Sequence, residues 1–390
     1  MNEILLELLK DARKDQESKI NNDIDFLALY NMSKEHQISA LIYNQIYSFS
    51  GMPDDLKEIW KREALKINAF QTRKTMKILQ VYRQFLKQGL KVLVVKGIVC
   101  RSLYPQPDNR QSNDEDLYVR DKDMEAVSEI FIENNFQEIS KKEDVTTFID
   151  PMSGLSIELH TALFSLESKA YGNYQRYFDQ AFDECIVHRI DGVDVYSLEY
   201  TQHLLFLILH FVKHFFHGGV GIRQVVDIVM YSEAYGDKVD WDRLYDILKE
   251  LNIYVLIVNL FAMAHDLLEF DYTKIRVPEG IDKSDYQDLF EDIMDAGIFG
   301  QSSSERIHSA TITLNTISDG KTTILKSIFP SLKEMQGKYK YLNKYPVLLP
   351  IAYLSRIVNY KKNNSSKNSQ RTIEVGKQRI ELLKKYRVIK

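Results

Sequence analysis

The chain contains few of the residues and segments that mark secreted or membrane-spanning proteins. Its two cysteines, Cys100 and Cys185, make neither a disulfide framework nor a zinc site. The first residues lack the basic segment and long apolar run of a secretion signal. The longest apolar run near the end, residues 345–354, is too short to span a bilayer and holds two prolines. These absences predict a protein of a reducing compartment, which we expect to be the cytoplasm, with no membrane span.

The 390 residues are ordinary in composition, being 44% hydrophobic and 27% charged, as in soluble globular proteins. This length allows two or three domains. Apolar residues follow a helical period at both ends of the chain and a strand pattern between them. We therefore expect a mostly helical α+β protein in which a small mixed sheet is flanked by helical regions. The expected divisions are an N-terminal helical region (1–75), an α/β core (76–190), a helical domain (191–360), and a basic linker with a C-terminal helix (361–390).

Local patterns give the boundaries of the expected elements. Strands are predicted over 91–95, 114–120, 145–150 and 155–161, and nearly everything past residue 190 is predicted to be helical. Ser197 is expected to cap a long helix that ends at Gly218-Gly219. Further predictions are a helix over 322–329, a polar linker over 363–370 and a last helix over 372–386.

The net charge of −4 is unevenly distributed along the chain. Residues 353–390 contain 11 Lys or Arg and two acids, which gives this tail a charge of +9 and leaves −13 on the remainder. A basic tail can follow the phosphates of a nucleic acid or an anionic lipid surface. It can also form a solvated helix that packs against the acidic body of its own chain. The sequence leaves both interpretations open.

Two aspartates stand two residues apart in the segment DEDLYV, which begins at Asp114. Successive side chains of a strand point to opposite faces, so Asp114 and Asp116 share a face, roughly 7 Å apart along the strand. Like charges that face together are unfavourable unless a cation lies between them. Mg²⁺ binds carboxylate oxygens together with substrate phosphates. The pattern therefore predicts a magnesium site, the alternative being a solvated strand edge, although acids are poor strand formers.

Two further elements surround this pair. Lys96 and Gly97 separate a predicted strand from a predicted helix, where glycine permits close approach of a ligand and the helix N-terminus attracts phosphate; such a pair is also common in ordinary turns. Glu158 and His160 share one face of a later strand. Beside the aspartate strand, Glu158 would complete a carboxylate triad for one or two Mg²⁺ ions or act as a general base. His160 would orient a phosphate, shuttle a proton, or simply lie half-buried.

Four histidines recur along one predicted helix at positions 203, 210, 214 and 217, within about 60° of one another on its face. Such a set can bind a transition metal, but zinc would need a further ligand and no cysteine is near. The other interpretations are that the histidines line the floor of a cleft or pack among aromatic rings. We take His210 and His214 as candidates for contacts to a phosphate or a base.

The motifs KGIV, LYP and RQSNDEDLYV, followed by the ELH strand, resemble the signature of an uncharacterised nucleotidyltransferase family, which is similar to the DNA polymerase beta-type nucleotidyltransferase superfamily. The resemblance extends to EHQISALIYNQI around His36, to the His-rich helix, and to a segment ending near Tyr360, and so covers most of the chain. It implies roles for Lys96 and Gly97 (turn), Arg110 (family arginine), Asp114 and Asp116 (metal pair), Glu158 (third carboxylate) and His160. It also favours a place in the cleft for Arg223, which with Asp227 otherwise forms only an i, i+4 helix pair.

The sequence departs from the pattern in three places. Lys-Gly replaces the usual Gly-Gly or Gly-Ser turn, which puts conventional triphosphate binding in doubt. Asn113 stands where serine is common. Glu115 replaces an apolar residue, which we expect either to weaken the packing of that strand or to add a fourth acid near the site.

These observations predict a Mg²⁺- or Mn²⁺-dependent nucleotidyltransferase. It would move a nucleoside monophosphate from a nucleoside triphosphate such as ATP to an unidentified hydroxyl acceptor on a small molecule, a protein or RNA. Lys96, Arg110 and His160 would offset charge on the leaving pyrophosphate. The altered turn motivates one alternative, a catalytically weak or inactive nucleotide-binding module. The basic tail motivates another, a nucleic-acid-associated protein.

Overall fold

The chain forms a mostly helical α+β structure around a seven-stranded mixed sheet, which confirms the expected fold class. The computed structural model describes residues 1–20, 24–297, 313–314, 316–317, 332, 335–336, 339–355 and 366–389. The predicted helix over 322–329 lies outside these residues.

The α-helices are α1 (Asn2–Arg13), α2 (Phe26–Glu35), α3 (Ser39–Ile46), α4 (Asp54–Lys87), α5 (Gly97–Arg101), α6 (Met124–Glu133), α7 (Ala181–Glu184), α8 (Tyr200–His217), α9 (Ile222–Tyr235), α10 (Trp241–Glu250), α11 (Tyr254–Leu268), α12 (Gln287–Ala296) and α13 (Ser366–Lys385). Most of them precede or follow the strands in the sequence, and α5, α6 and α7 lie between strands. Residues 349–355 are also helical. The 34 residues of α4 form one continuous helix that crosses the domain boundary expected at residue 75.

The strands are β1 (Leu93–Val94), β2 (Asp114–Tyr118), β3 (Gln137–Lys141), β4 (Val145–Ile149), β5 (Ser156–His160), β6 (Ile186–Ile190) and β7 (Val193–Ser197). Their order across the sheet is β3-β4-β5-β2-β1-β7-β6. The central strand β2 runs parallel to β5 and antiparallel to β1, and β7 runs parallel to β1. The sheet therefore extends past residue 190.

Both faces of the sheet centre are covered, as the continuous apolar run at 91–95 predicts. Leu93 and Val95 pack into a large core shared with the helical regions, including α8 and α9. Val92 and Val94 pack into a second core on the opposite face, with α4 and α6. Because side chains alternate along a strand, successive residues from Val92 to Val95 pack into opposite cores.

Three strands, β3, β6 and β7, were not expected from the sequence. β3 and β6 are the two edge strands of the sheet, and their side chains are largely exposed or half-buried. Edge strands carry many polar residues because one side has no neighbouring strand, so the apolar signal of β3 is weak. β7 follows β6 through the tight turn at Asp191-Gly192 and lies in the stretch past residue 190 that was predicted to be nearly all helical.

The prediction that Ser197 caps the long helix is wrong. Ser197 ends β7, and its hydroxyl lies 2.7 Å from Nδ1 of His203. The cap of α8 is Glu199, whose carboxylate accepts hydrogen bonds from the backbone N–H groups of Thr201 and Gln202. Serine is a frequent N-cap and glutamate an unusual one, so the local pattern favours the wrong residue here.

The C-terminal helix packs against the body of the chain. It begins at Ser366, so most of the polar stretch expected to be a linker is helical. Arg379 is buried, contacts both carboxylate oxygens of Asp292 at 2.9 Å, and donates to the backbone carbonyl of Phe215 at the end of α8. Lys385 lies 2.9 Å from Asp285. Part of the positive charge of the tail is therefore neutralised by acids of the same chain.

No helix among the described residues is long and apolar enough to cross a membrane.

The junction between the N-terminal helices and α9 contains a fully buried histidine. The side chain of His36 has no exposed surface, and its Nδ1 accepts a hydrogen bond of 3.3 Å from the N–H of Ile222, the first residue of α9. Burial lowers the pKa of His36 from 6.5 to about 4. The imidazole is therefore neutral in the folded protein at pH values where it would be charged in the unfolded chain.

This shift predicts acid sensitivity of the fold. Because the folded-state pKa is the lower one, the stabilisation is complete above pH 6.5 and is lost as the pH falls toward 4, by up to about 3 kcal/mol from this residue. His36→Asn keeps an acceptor near the Nδ1 position but does not titrate. We expect the free energy of unfolding, measured by denaturant titration from pH 8 to pH 4.5, to fall less steeply in this variant. At pH 8 the difference in free energy of unfolding between the two proteins measures lost packing alone. If the free energies of unfolding of the two proteins fell in parallel with pH, the low folded-state pKa of His36 would be contradicted.

Candidate active site

A cavity of about 320 Å³ lies between one face of the sheet and helix α8. Its lining residues are Lys96, Asp114, Asp116, Glu158, His160, Leu163, Phe206, His210, Lys213 and His214. Seven of the ten candidate site residues predicted from the sequence therefore share one cavity. The other three, Gly97, Arg110 and Arg223, do not line it.

The register between β2 and β5 brings the carboxylates together. In this parallel pair Asp116 lies opposite Glu158, and Tyr118 lies opposite His160. Residues opposite each other on neighbouring strands project from the same face of a sheet. Asp114, two residues earlier on β2, projects from that face as well and lines the same cavity. The expected common face of the two aspartates and of the Glu158–His160 pair is therefore present on adjacent strands.

The carboxylates are surrounded by cationic groups. The ammonium of Lys96 lies 2.6 Å from Oδ2 of Asp116. Nε2 of His160 lies 3.4 Å from Oδ1 of Asp116 and 3.5 Å from Oε2 of Glu158. Asp116, Glu158 and His160 each offer one ligand atom, and these atoms lie within 4.8 Å of one another. Two carboxylates and an imidazole are suitable ligands for a divalent cation, so the donor set fits the metal expected from the sequence.

The pKa values reflect these contacts. Burial alone would raise the pKa of Asp116, but Lys96 and His160 lower it well below its usual range. The hydrogen bond from His160 lowers the pKa of Glu158. Burial lowers the pKa of His160, but its bonds to Asp116 and Glu158 outweigh burial and raise it. Likewise, Asp116 and Asp114 outweigh burial and raise the pKa of Lys96. The two contacting carboxylates are therefore held ionised and the lysine protonated.

The Lys96-Gly97 turn is held by a buried acid behind the site. Glu115 has no exposed surface; its carboxylate accepts a 2.8 Å hydrogen bond from the N–H of Ile98 and lies 2.6 Å from the guanidinium of Arg101. Gly97 has a φ of +35°, and a Cβ added there would overlap this carboxylate. The expectation that Glu115 adds a fourth acid to the site is therefore wrong, whereas its effect on the packing of the strand stays a prediction. It points away from the cavity and ties β2 to the first turn of α5.

Arg110 is buried in a pairing with helix α9. Its Nε and Nη2 each lie 2.7 Å from an oxygen of Asp227, and the hydroxyl of Tyr104 donates to the same aspartate at 2.8 Å. The side chain of Arg110 has no exposed surface. Removing one partner of such a buried pair typically costs about 3–5 kcal/mol. The ion pair between Arg110 and Asp227 therefore joins the loop before β2 to helix α9.

The same loop is fixed at its next two residues. Arg223 donates to the backbone carbonyl of Gln111. Gln71 and Lys74 of α4 donate to the carbonyl of Ser112 at 2.9 and 3.0 Å. These bonds satisfy buried carbonyls that would otherwise lack partners, and they set where β2 begins.

The histidines of α8 divide into separate environments. His210 and His214 line the cavity, and their Nε2 atoms lie 3.2 Å apart. Burial lowers the pKa of both well below the usual range, helped by Lys96 for His210 and by Lys213 for His214. His203 is buried against Ser197, and His217 lies 3.1 Å from the hydroxyl of Tyr171. Among the described residues, no group of three metal-ligating side chains includes these histidines.

Three lining residues were missed from the sequence: Leu163, Phe206 and Lys213. Lys213 follows His210 by three residues and so lies on nearly the same face of α8. The periodicity that singled out the histidines was therefore sufficient to find it. Leu163 and Phe206 carry no comparable signal, because apolar residues at these spacings usually belong to the core.

These features define a mixed sheet whose neighbouring strands present carboxylates to one cavity. The family model described as uncharacterised nucleotidyltransferase matches residues 22–269, and the chain belongs to this family. Comparison with curated proteins gives no match, and comparison with solved structures gives none.

The geometry of the turn predicts that Gly97→Ala is costly for stability. The matched control is Gly192→Ala in the β6–β7 turn, where φ is +77° and no atom lies within 4 Å of the added Cβ. We expect the control to lose about 1 kcal/mol, from the left-handed backbone alone. Gly97→Ala should lose about 3 kcal/mol or more, because the Glu115 carboxylate must move away from buried Arg101. The free energies of unfolding from denaturant titration test this, and equal losses in the two variants would show that the close approach does not matter.

Proposed function

We propose that the protein is a divalent-metal-dependent nucleotidyltransferase that moves a nucleoside monophosphate from a nucleoside triphosphate to a hydroxyl acceptor. The observation that carries this proposal is the pairing of Asp116 with Glu158 on adjacent parallel strands, with Asp114 and His160 in the same cavity. Membership of the nucleotidyltransferase family supports it.

The residues that would hold the metal are Asp116 and Glu158, with Asp114 and His160 beside them. When bound there, a divalent ion neutralises phosphate charge and polarises the phosphoryl group. The side chain of Asp116 is only 6% exposed, whereas that of Glu158 is 40% exposed. This difference assigns Asp116 to the inner position and leaves Glu158 open to solvent at the side where an acceptor would enter.

In the proposed reaction the acceptor oxygen forms a bond to the α-phosphorus, and the bond between this phosphorus and the oxygen bridging to the β-phosphate breaks. Pyrophosphate leaves with the bonding electrons. The proton of the acceptor hydroxyl goes to a carboxylate, for which Glu158, with a side chain 40% exposed, is a candidate. Lys96 faces the carboxylates from the turn and offsets charge that develops on the phosphates. Arg110 is assigned a different role, that of positioning the loop before β2 through Asp227.

One observation favours a second candidate function, a nucleotide-binding module with little or no turnover. The ammonium of Lys96 already lies 2.6 Å from Asp116, so a metal ion must share this carboxylate with a lysine. Calorimetry with ATP, CTP, GTP and UTP, combined with a pyrophosphate assay, separates the two functions. Tight binding without pyrophosphate release over hours would favour the module.

The transferase proposal predicts that Asp116→Asn removes activity. The change preserves shape but removes the charge, so we expect transfer from α-labelled nucleotide into an acceptor of cell extract to fall by roughly 100-fold or more. Mn²⁺ binding, followed by electron paramagnetic resonance, should weaken in parallel. The control is Asp183→Asn. The side chain of Asp183 is 83% exposed, pairs with Arg120 and lies outside the cavity. Unchanged labelling and unchanged Mn²⁺ binding in folded Asp116→Asn protein would rule out the assignment.

A further inference from the structure

The cavity contains two lysines that differ in how their charge is compensated. Lys96 is paired directly with Asp116. Lys213 lies on the opposite wall, on α8, and within the described part of the chain it forms no salt bridge. Its ammonium lies 5.9 Å from the centre of the Tyr171 ring, a contact that stabilises a cation only modestly. A half-buried cation that faces a cavity without an ionic partner is stabilised by a ligand that supplies the opposite charge.

The electrostatic surroundings of Lys213 show what stabilises it in the free protein. Burial lowers its pKa, while Asp116 and Glu158 partly oppose this; Lys96 and Lys142 lower it further. Lys213 therefore depends on the same carboxylates that are proposed to hold the metal.

Metal binding changes this balance. The cavity is lined by three carboxylates and two lysines, so its charge without counting histidines is slightly negative. One divalent ion reverses the sign, and the carboxylates that attract Lys213 are then neutralised. That charge is offset when an anion such as a phosphate group enters with the metal, and Lys213, whose carboxylate neighbours are then neutralised, is available to contact it.

We propose that Lys213 is a substrate-binding residue that contacts the β- and γ-phosphates of a nucleoside triphosphate, so that the cavity selects its ligand by the length of the phosphate chain. This inference rests on the proposed function and extends it to the recognition of the leaving group. Lys96 and Lys213 would then face the phosphate chain from the sheet side and the helix side of the cavity.

The test uses the full-length protein with Mg²⁺ and ligands of different phosphate number. The ligands are α,β-methylene-ATP, which cannot release pyrophosphate, together with inorganic triphosphate, ADP and AMP, with affinities from calorimetry. The variants are Lys213→Met, which keeps most of the side-chain length, and Lys213→Arg, which restores the charge. Lys238→Met is the matched control, because Lys238 also lies over tyrosine rings but outside the cavity.

We expect Lys213→Met to weaken the binding of α,β-methylene-ATP and of inorganic triphosphate by roughly 10- to 100-fold, which is the effect of one charge-assisted hydrogen bond. AMP should weaken less than about 3-fold, Lys213→Arg should recover most of the affinity, and Lys238→Met should bind like the unaltered protein. Thermal unfolding of Lys213→Met should be unchanged or occur at a higher temperature, because the substitution removes a buried charge.

Equal weakening of AMP and triphosphate, or no weakening of either, would overturn the assignment of Lys213. If pyrophosphate release from ATP then remains normal in Lys213→Met, the transferase proposal survives that result. Conversely, Lys213-dependent triphosphate binding without any pyrophosphate release would support the phosphate site and count against transfer. If the unaltered protein bound none of these phosphate compounds, both the assignment of Lys213 and the transferase proposal would be wrong.

Discussion

The ion pair between Lys96 and Asp116, 2.6 Å long, is the contact on which the site depends. Asp116 and Glu158 lie opposite each other on adjacent strands in a largely buried cavity, and like charges so placed repel unless a cation intervenes. Lys96 supplies that cation from the turn between β1 and α5. This turn requires a glycine at position 97, because the Glu115 carboxylate occupies the space that a side chain would need. The same carboxylate accepts a hydrogen bond from the N–H of Ile98 at the start of α5. Alternate residues of β2 therefore have different roles on the two faces of the sheet. Asp114 and Asp116 line the cavity, and Glu115 fixes the turn that carries Lys96, which neutralises Asp116.

The motif preceding β2 combines residues of the cavity with residues of the framework. Arg110 pairs with Asp227 of α9, and the carbonyls of Gln111 and Ser112 are bound by side chains of α9 and α4. A sequence pattern alone does not separate these roles, since an arginine next to paired aspartates is equally suited to bind a phosphate or to hold a loop. Burial separates them, because an arginine with no exposed surface and two bonds of 2.7 Å to a carboxylate has little capacity left for a ligand. Framework cations of this kind fix the strand register, and the register fixes the distance between the carboxylates.

Local periodicity was sufficient to predict which side chains share a face, and insufficient to predict which faces meet. Alternation along a strand placed Asp114 with Asp116 and Glu158 with His160, and the helical period grouped His210 with His214. The parallel pairing of β2 with β5 joins segments more than 40 residues apart, and no local pattern encodes such a register. Edge strand β3 was missed because its polar sequence resembles a loop, and β6 was missed although Ile186, Val187 and Ile190 are apolar. Ser197 was mistaken for a cap because serine is the more frequent residue there, whereas Glu199 performs that role. The charged tail shows the same limit: composition gives its charge, but only packing shows that Arg379 and Lys385 are paired within the chain.

The free site is a set of carboxylates already compensated by the protein's own cations, and this has a consequence for how ligands bind. A metal ion that reaches Asp116 meets Lys96 and His160 at the same carboxylate, so binding of the ion alone brings positive charges close together in a region of low dielectric. Binding of an anion alone is opposed by three carboxylates. The two ligands together relieve both repulsions, since each supplies the charge that the other lacks. Under the proposed function, a cavity arranged in this way would bind a metal ion and a polyphosphate together more tightly than either one alone. Under the proposed function, the ammonium of Lys96 would take over part of the role that backbone N–H groups play in a glycine-rich phosphate loop.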